Sequence, residues 1–362
     1  MFVALLVSTT LYVTVRALVE ARGFVGLAMW TNTARNATAV PLQIVLAIPL
    51  GLGLGAAGMA YGYALGTLLV VPVVAYYARV WITTPSVETL RSLWSYAKYS
   101  IPSGFVGKVY SRFDLILLGV LIGPAAVANY EIAFRISMPA TFISITAASV
   151  LMAKVSHSAT SGESIKDDIV STLSYASLLS VPIFFGAVVI ADDLVVVLYG
   201  GAYAEAGLFL VGLAFYRILR SQTSPLKNVV NGLDRPDYNL RLSTVVLAIN
   251  IVLGIAFVFE IGAIGIVIAT VIAEAIRYLG LIWFLRQSNP GISLFPRPLQ
   301  AQIGAGFLMC LFVFAFVETV PFDRTVTTGF AVFSGALVYA AFLLAGSQYH
   351  RGLARSGVDR LL

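Results

Sequence analysis

The stretch 99-YSIPSGFVGKVYSRFDLILLGVLIGPAAVANYEIAFRIS-137 decides how the chain folds. It holds two apolar spans folded back on each other at Gly123-Pro124. Both spans are charged: Lys108, Arg112 and Asp114 precede the turn, and Glu131 and Arg135 follow it. A charged side chain at the centre of a bilayer costs about 3 kcal/mol on insertion scales, so such groups face a bundle interior or a water-filled cavity. The hairpin is expected to wall a polar cavity inside a membrane bundle.

The rest of the chain agrees. It has 362 residues, 59% hydrophobic and 11% charged, where a soluble domain carries about 25% charged residues. Apolar runs of about 18 to 25 residues dominate, the length a helix needs to cross a hydrocarbon core of about 30 Å. Lipid admits only helices or closed barrels, and these runs lack the alternation of a barrel strand. The expected fold is an all-α polytopic membrane helix bundle. Its roughly eleven spans fall near 1–18, 37–54, 57–79, 99–122, 125–152, 172–191, 204–230, 240–259, 262–285, 300–318 and 326–346.

The turns alternate in character. One set is short or acidic, with Gly123-Pro124, Asp192-Asp193, Glu260-Ile261 and Glu318 to Arg324. The other is basic, with Arg22 and Arg35, Arg79, Arg91 and Lys98, Lys154 and Lys166, Lys227, Arg235 and Arg241, Arg286 and Arg297, and Arg351, Arg355 and Arg360. The positive-inside rule places the basic turns and the C-terminus in the cytoplasm of a multi-pass cell-membrane protein. The net charge of +6 is thus topological, and nucleic acid is not an expected partner. Cys310 stands alone, and His157 and His350 are isolated, so no disulfide or metal site is expected. Gly53 to Gly58 spells GxGxxG, but at a turn between spans and not after a strand, so no dinucleotide cofactor is implied.

Residues 86–99, SVETLRSLWSYAKY, place Leu90, Leu93, Trp94 and Ala97 at helical spacing, the pattern of an amphipathic helix on the cytoplasmic surface. Gly55-Ala56-Ala57-Gly58 before one span matches Gly262-Ala263-Ile264-Gly265 before another, and a basic loop precedes both. The repeat pairs spans one to three with spans seven to nine and leaves spans four to six without partners. The expected domains are a partial N-terminal lobe at 1–80, an amphipathic linker at 81–98, a complete six-helix lobe at 99–285, and two extra helices with a cytoplasmic tail at 286–362. With an odd number of spans the N-terminus starts outside, without a signal peptide, so about three further helices are expected upstream.

Four segments carry a family resemblance: the hairpin from Ser100, LVVVLYGGAYAEAGLFLVGLAFYRI at 194–218, NGLDRPDYN at 231–239 and NIVLGIAFVFEIGAIGIVIAT at 250–270. Their order resembles that of the Wzx-type polysaccharide and oligosaccharide flippases, a branch of the MOP exporter superfamily that also holds the MATE exporters and the MurJ lipid II flippases. The resemblance implies two six-helix lobes around a central cavity. It also implies transport of a lipid-linked oligosaccharide, a polyprenyl phosphate or pyrophosphate glycan, for surface polysaccharide or glycoprotein synthesis. Glycosyltransferases or a polymerase of the same pathway are the implied partners, alongside membrane lipids. Here the first lobe lacks its first half.

Moving such a molecule requires no covalent chemistry and no enzyme. The obstacle is carrying a hydrated phosphate through hydrocarbon, which fixed cations lower, and the planar fork of Arg suits phosphate oxygens. The candidate substrate-binding residues are Lys108, Arg112, Arg135, Arg217 and Arg220. Arg112 and Arg135 lie about 12 and 11 residues from Pro124, which at about 1.5 Å per residue puts both near the bilayer middle. Competing pairings are Asp114 with Arg135 and Glu274 with Arg277. Tyr110, Tyr130 and Tyr216 are candidates for stacking on sugars. Asp114, Glu131 and Glu274 are candidate carriers of a coupling proton or sodium ion. The alternatives are a multidrug or metabolite exporter, which would favour acids at the cavity centre, and a non-transporting remnant. A membrane polymerase or acyltransferase would need a large outer loop or a His/Asp/Arg catalytic group.

Overall fold

In a computed structural model of the chain, the described residues are 2–21, 25–48, 53–77, 86–161, 166–288, 297–319 and 323–346. They form helices and no strand, the expected all-α architecture. The chain divides into two compact units, Met1–Trp94 and Ser95–Leu362.

The first unit is built on α1 (Phe2–Ala21), α2 (Val25–Ala47) and α3 (Gly55–Tyr77), followed by the start of α4 (Val87–Leu121). The α2–α3 seam is close because glycine permits it. A Cβ on Gly58 would fall 2.2 Å from the Leu46 carbonyl oxygen, and one on Gly66 would fall 2.4 Å from Ala39 Cα. Small residues let helix backbones approach in lipid, where the hydrophobic effect does not drive helices together. The span expected at 37–54 is displaced. Its helix runs Val25–Ala47 and takes in the polar stretch Thr31 to Thr38, of which Thr31 to Asn36 lie outside the expected span. Inside the unit these groups find partners: Thr38 Oγ1 donates to the Gly66 carbonyl at 3.1 Å, and Tyr12 and Thr31 share a hydroxyl contact at 3.4 Å.

In the second unit, α4 ends at the Gly123 turn. Gly123 adopts φ 133°, open to glycine, and Pro124 then takes the first helical position, where its missing N–H is no loss. The segments expected as a surface helix and a separate span, 86–99 and 99–122, form one continuous helix, α4. The span expected at 125–152 is two helices, α5 (Pro124–Ser137) and α6 (Phe142–Ser161), joined by a 3-10 turn at Met138–Thr141. Pro139 lies in that turn, and it lacks the N–H that an unbroken α-helix would use.

There follow α7 (Lys166–Ala176), α8 (Ser180–Tyr199), α9 (Ala206–Gly232), α10 (Pro236–Ile261), α11 (Ile264–Ser288), α12 (Arg297–Thr319) and α13 (Arg324–Gly346). The hub is α9, which packs against α5, α6, α7, α8, α10 and α11. On α10–α11, Gly265 repeats the role of Gly58, since a Cβ there would fall 2.5 Å from the Phe257 carbonyl oxygen. The two sequence repeats thus end in the same packing device. Helices α12 and α13 pack on α8 around Met309, Val313, Tyr339 and Leu343. Gln302 of α12 is buried at the α7–α8 break, donating to the Ser174 carbonyl and accepting from Ser177 Oγ, both at 2.7 Å. Large apolar side chains such as Val120, Val252, Phe259 and Phe333 are exposed, as lipid contact allows.

Seven helical segments of the described residues are long and apolar enough to cross a membrane: Phe2–Val19, Gly55–Tyr76, Asp167–Tyr199, Pro236–Ile261, Ile264–Gln287, Arg297–Thr319 and Arg324–Gly346. Helices α2 and α9 are not among them. They are diluted by the polar and basic residues that matter below.

Candidate functional site

Helix α9 carries Tyr216, Arg217, Arg220, Thr223 and Lys227 down its length. Arg217 is 6% exposed. Its Nε donates to Ser137 Oγ at 3.2 Å and its Nη2 donates to the Phe134 carbonyl at 3.2 Å. Its guanidinium carbon lies 4.2 Å from the centre of the Phe134 ring. The break after α5 prepares this seat. The Met138 N–H turns to the Arg135 carbonyl, one residue closer than an α-helix dictates. The Phe134 carbonyl is thereby left for Ser137 Oγ, at 2.9 Å, and for Arg217. Among the described residues no carboxylate pairs with Arg217. Its charge is held by a hydroxyl, a carbonyl and an aromatic face.

Glu274 on α11 is the opposite case. It is fully buried, and it accepts from Arg277 Nε at 3.1 Å, from Arg220 Nη1 at 3.4 Å and from Thr223 Oγ1. Arg277 also donates to Ser243 Oγ at 3.1 Å. The pairing of Glu274 with Arg277 three residues on is therefore present, with Arg220 as a second cation on the same carboxylate.

Asp114 on α4 is buried among neutral donors. Tyr130 OH donates to its Oδ2 at 2.7 Å and Thr270 Oγ1 donates to the same oxygen at 2.9 Å. Asn250 Nδ2 donates in turn to Thr270 Oγ1 at 3.1 Å. The other carboxylate oxygen, Oδ1, is buried with no hydrogen-bond partner among the described residues. The competing pairing of Asp114 with Arg135 does not occur. Arg135 Nε binds Glu131 one helical turn back, at 3.1 Å, on a more exposed face of α5. Depth along a helix brought these two residues level, but their rotation about the two helix axes separates them.

The structure therefore gathers Arg217, Arg220, Asp114 and Glu274 in the interior of the second unit and leaves Arg112, Arg135 and Glu131 partly or fully exposed. The side chains of Lys108 and Tyr110 lie outside the described residues. Tyr130 and Tyr216 are buried, Tyr130 as a donor to Asp114. Sequence reasoning passed over Asn250, Thr270, Thr223 and Ser137. The signal available was a polar residue within an apolar run, which in lipid calls for an internal partner.

A family model described as "Polysaccharide biosynthesis protein" matches residues 5–207. The chain belongs to this family. The match runs from α1 to the first turn of α9, so Asp114, Glu131 and Arg135 lie within it and Arg217 and Glu274 lie beyond it. Among its relatives, the probable low-salt glycan biosynthesis flippase Agl15 of Haloferax volcanii is 26% identical over 266 residues, 72% of this chain and 55% of the relative. The probable flippase AglR of the same organism is 25% identical over 308 residues, 83% of this chain and 63% of the relative. The teichuronic acid biosynthesis protein TuaB of Bacillus subtilis is 24% identical over 149 residues, 41% of this chain and 31% of the relative. The chain spans little more than half the length of the two Haloferax relatives. Its fold is similar to that of the lipid II flippase MurJ in an inward closed conformation, with a TM-score of 0.73 and 13% identity, covering 96% of this chain and 72% of that one. The polytopic helix bundle and the flippase family expected from the sequence are those observed.

Proposed function

We propose that this membrane protein moves a lipid-linked oligosaccharide, a glycan on a polyprenyl phosphate or pyrophosphate, from one leaflet of the cell membrane to the other. The observation that carries the reading is Arg217. A guanidinium buried among neutral groups keeps its charge available to a phosphoryl oxygen, because no carboxylate of the described chain answers it. Arg220 and Arg277 share the single carboxylate of Glu274, which adds to the positive excess. The names of the Haloferax relatives and the MurJ-like fold support the same reading. The step moves a molecule and breaks no bond, so the protein acts as a transporter. Its basic turns and C-terminus face the cytoplasm, where pathway glycosyltransferases deliver the glycan.

Asp114 is the carboxylate best placed to couple transport to a proton or sodium gradient. Glu274 and Glu131 already hold guanidinium groups, whereas among the described residues Asp114 meets only hydroxyls and presents an unpartnered oxygen. A cationic-drug exporter would be served by an acid excess and is disfavoured here.

The test is glycan export in cells carrying Arg217→Ala or Arg217→Lys in the full-length transporter. The Ala variant should abolish surface glycan and accumulate the lipid-linked intermediate, and Lys should restore export in part. Surface glycan at wild-type level with Arg217→Ala overturns the reading.

A further inference from the structure

A second cation lies in the first unit, where the basic-turn reading of the sequence had put a loop. Arg35 sits near the middle of α2 (Val25–Ala47). Its guanidinium carbon is 4.7 Å from the centre of the Tyr12 ring on α1 and 5.5 Å from that of Tyr63 on α3. Its Nη2 donates to Asn32 Oδ1 at 2.8 Å and to Asn36 Oδ1 at 3.3 Å. Its Nε is buried, and among the described residues none accepts from Nε or from Nη1. No carboxylate pairs with it among the described residues.

We propose that Arg35, held between Tyr12 and Tyr63 with Asn32 and Asn36 at its edge, is an oxyanion-binding site carried entirely by the first unit. It contacts a phosphoryl or carboxylate group of the lipid-linked glycan. The inference rests on the flippase reading for the identity of the ligand, but not for the existence of the site.

Three facts point to an oxyanion. Guanidinium has five N–H donors, and the two Asn side chains use both of those on Nη2, so three remain. The two phenol rings each favour the cation, by about 0.5–2 kcal/mol, without neutralising it. The rings also stiffen the fork, so that a ligand meets donors already oriented, which suits planar recognition of carboxylate or phosphate. An arginine that only stapled α1, α2 and α3 together would not need the buried, unused Nε–H, because a buried donor costs free energy when its bond is left unmade. The seat is fixed from outside as well. Arg35, Ala39, Gln43 and Leu46 lie on one face of α2, and the last three press on Gly66, Gly62 and Gly58.

Two chemical sources supply such an oxyanion: the phosphoryl link to the lipid, and the carboxylate of an acidic sugar. The full chain, purified into neutral-lipid nanodiscs, is titrated with farnesyl phosphate, with a glucuronic-acid disaccharide and with neutral lactose. Wild type, Arg35→Gln, Arg35→Lys and Arg217→Gln are compared. Arg35→Gln should weaken binding of at least one oxyanion by about tenfold or more, the size of a lost charge-assisted contact, and Arg35→Lys should lose less. Lactose should be unaffected. Loss confined to farnesyl phosphate assigns the phosphoryl source, and loss confined to the disaccharide assigns the sugar carboxylate. Equal oxyanion affinity for wild type and Arg35→Gln overturns the proposal. If Arg217→Gln still weakens binding in that case, the flippase reading survives the loss. Should Arg35→Gln not fold, 15N-arginine spectra of the wild type decide. An Arg35 Nε–H resonance, assigned through Arg35→Lys, that shifts with an oxyanion and not with lactose upholds the site. One that ignores all three ligands removes it.

Discussion

Replacing Glu274 by Gln should destabilise the second unit more than any other single isosteric change in it. The carboxylate is fully buried and is shared by Arg277, 5% exposed, and Arg220, 36% exposed. Gln keeps the shape and one carbonyl oxygen but removes the charge, and its amide N–H groups then face guanidinium donors. Breaking a buried ion pair by removing one partner costs about 3–5 kcal/mol, because the remaining charge stays buried without compensation. Arg277 bears that penalty almost in full, while Arg220 has solvent access and adds about 0–1 kcal/mol. The expected loss is thus about 3–5 kcal/mol, a factor of about 150 to 5,000 in the folded-to-unfolded ratio. The assay is reversible SDS or thermal unfolding of the purified chain, with Arg277→Met and the double variant alongside. The double variant should recover at least half of the loss, since it removes the orphaned cation with its partner. A Glu274→Gln protein within about 0.5 kcal/mol of wild type would refute the reasoning, because that is the range of ordinary surface substitutions.

Two further outcomes follow from the same geometry. Asp114→Asn should cut glycan transport at least tenfold and leave the residue insensitive to an imposed proton or sodium gradient, while Thr270→Ala should give an intermediate defect. Gradient dependence like that of wild type in Asp114→Asn vesicles would remove Asp114 from the coupling role. Gly265→Val should force α10 and α11 apart at Phe257 and lower stability by about 1–3 kcal/mol, as overpacking does elsewhere. The matching Gly58→Val change should strain the α2–α3 seam, and unfolding midpoints of the two variants check both.

The bundle itself was legible because span length and charge depletion are set by the bilayer and not by any particular packing. The hairpin at Gly123-Pro124 was legible for a related reason, since a glycine followed by proline stops one helix and starts the next. Three things were not legible. The break at Met138–Thr141 turns on Pro139, which an apolarity window passes over because the residues on either side remain apolar. The place of Arg35 was lost because the window slid toward the apolar end of α2 and left Thr31 to Asn36 in a loop. Those polar groups sit within a helix because α1 and α3 supply partners for Thr31, Arg35 and Thr38, and that is tertiary information. The partner of Asp114 was lost because rise per residue gives depth, whereas Tyr130 and Thr270 are selected by rotation about three separate helix axes.

The interior charges of this chain fall into two kinds, and the difference bears on what each can do. Glu274 with Arg277 and Arg220 is closed on itself: its attraction is spent inside the fold, and its removal is a matter of stability. Arg217 and Arg35 are held by hydroxyls, carbonyls, amides and aromatic faces, which stabilise a cation without cancelling it. In lipid an uncancelled cation is expensive, and a well-packed apolar side chain of similar volume would generally be the more stable choice. A fold that bears this cost in each of its two units, on helices α2 and α9 that are the more polar for it, gains nothing in stability by doing so. On the proposed flippase reading the gain comes when a negatively charged group enters, and a phosphorylated glycan carrier would bring that charge through the one solvent that cannot hydrate it. Substituting Met at Arg217 or Arg35 should accordingly leave the chain at least as stable as wild type while impairing transport. Glu274→Gln should do the reverse of the first.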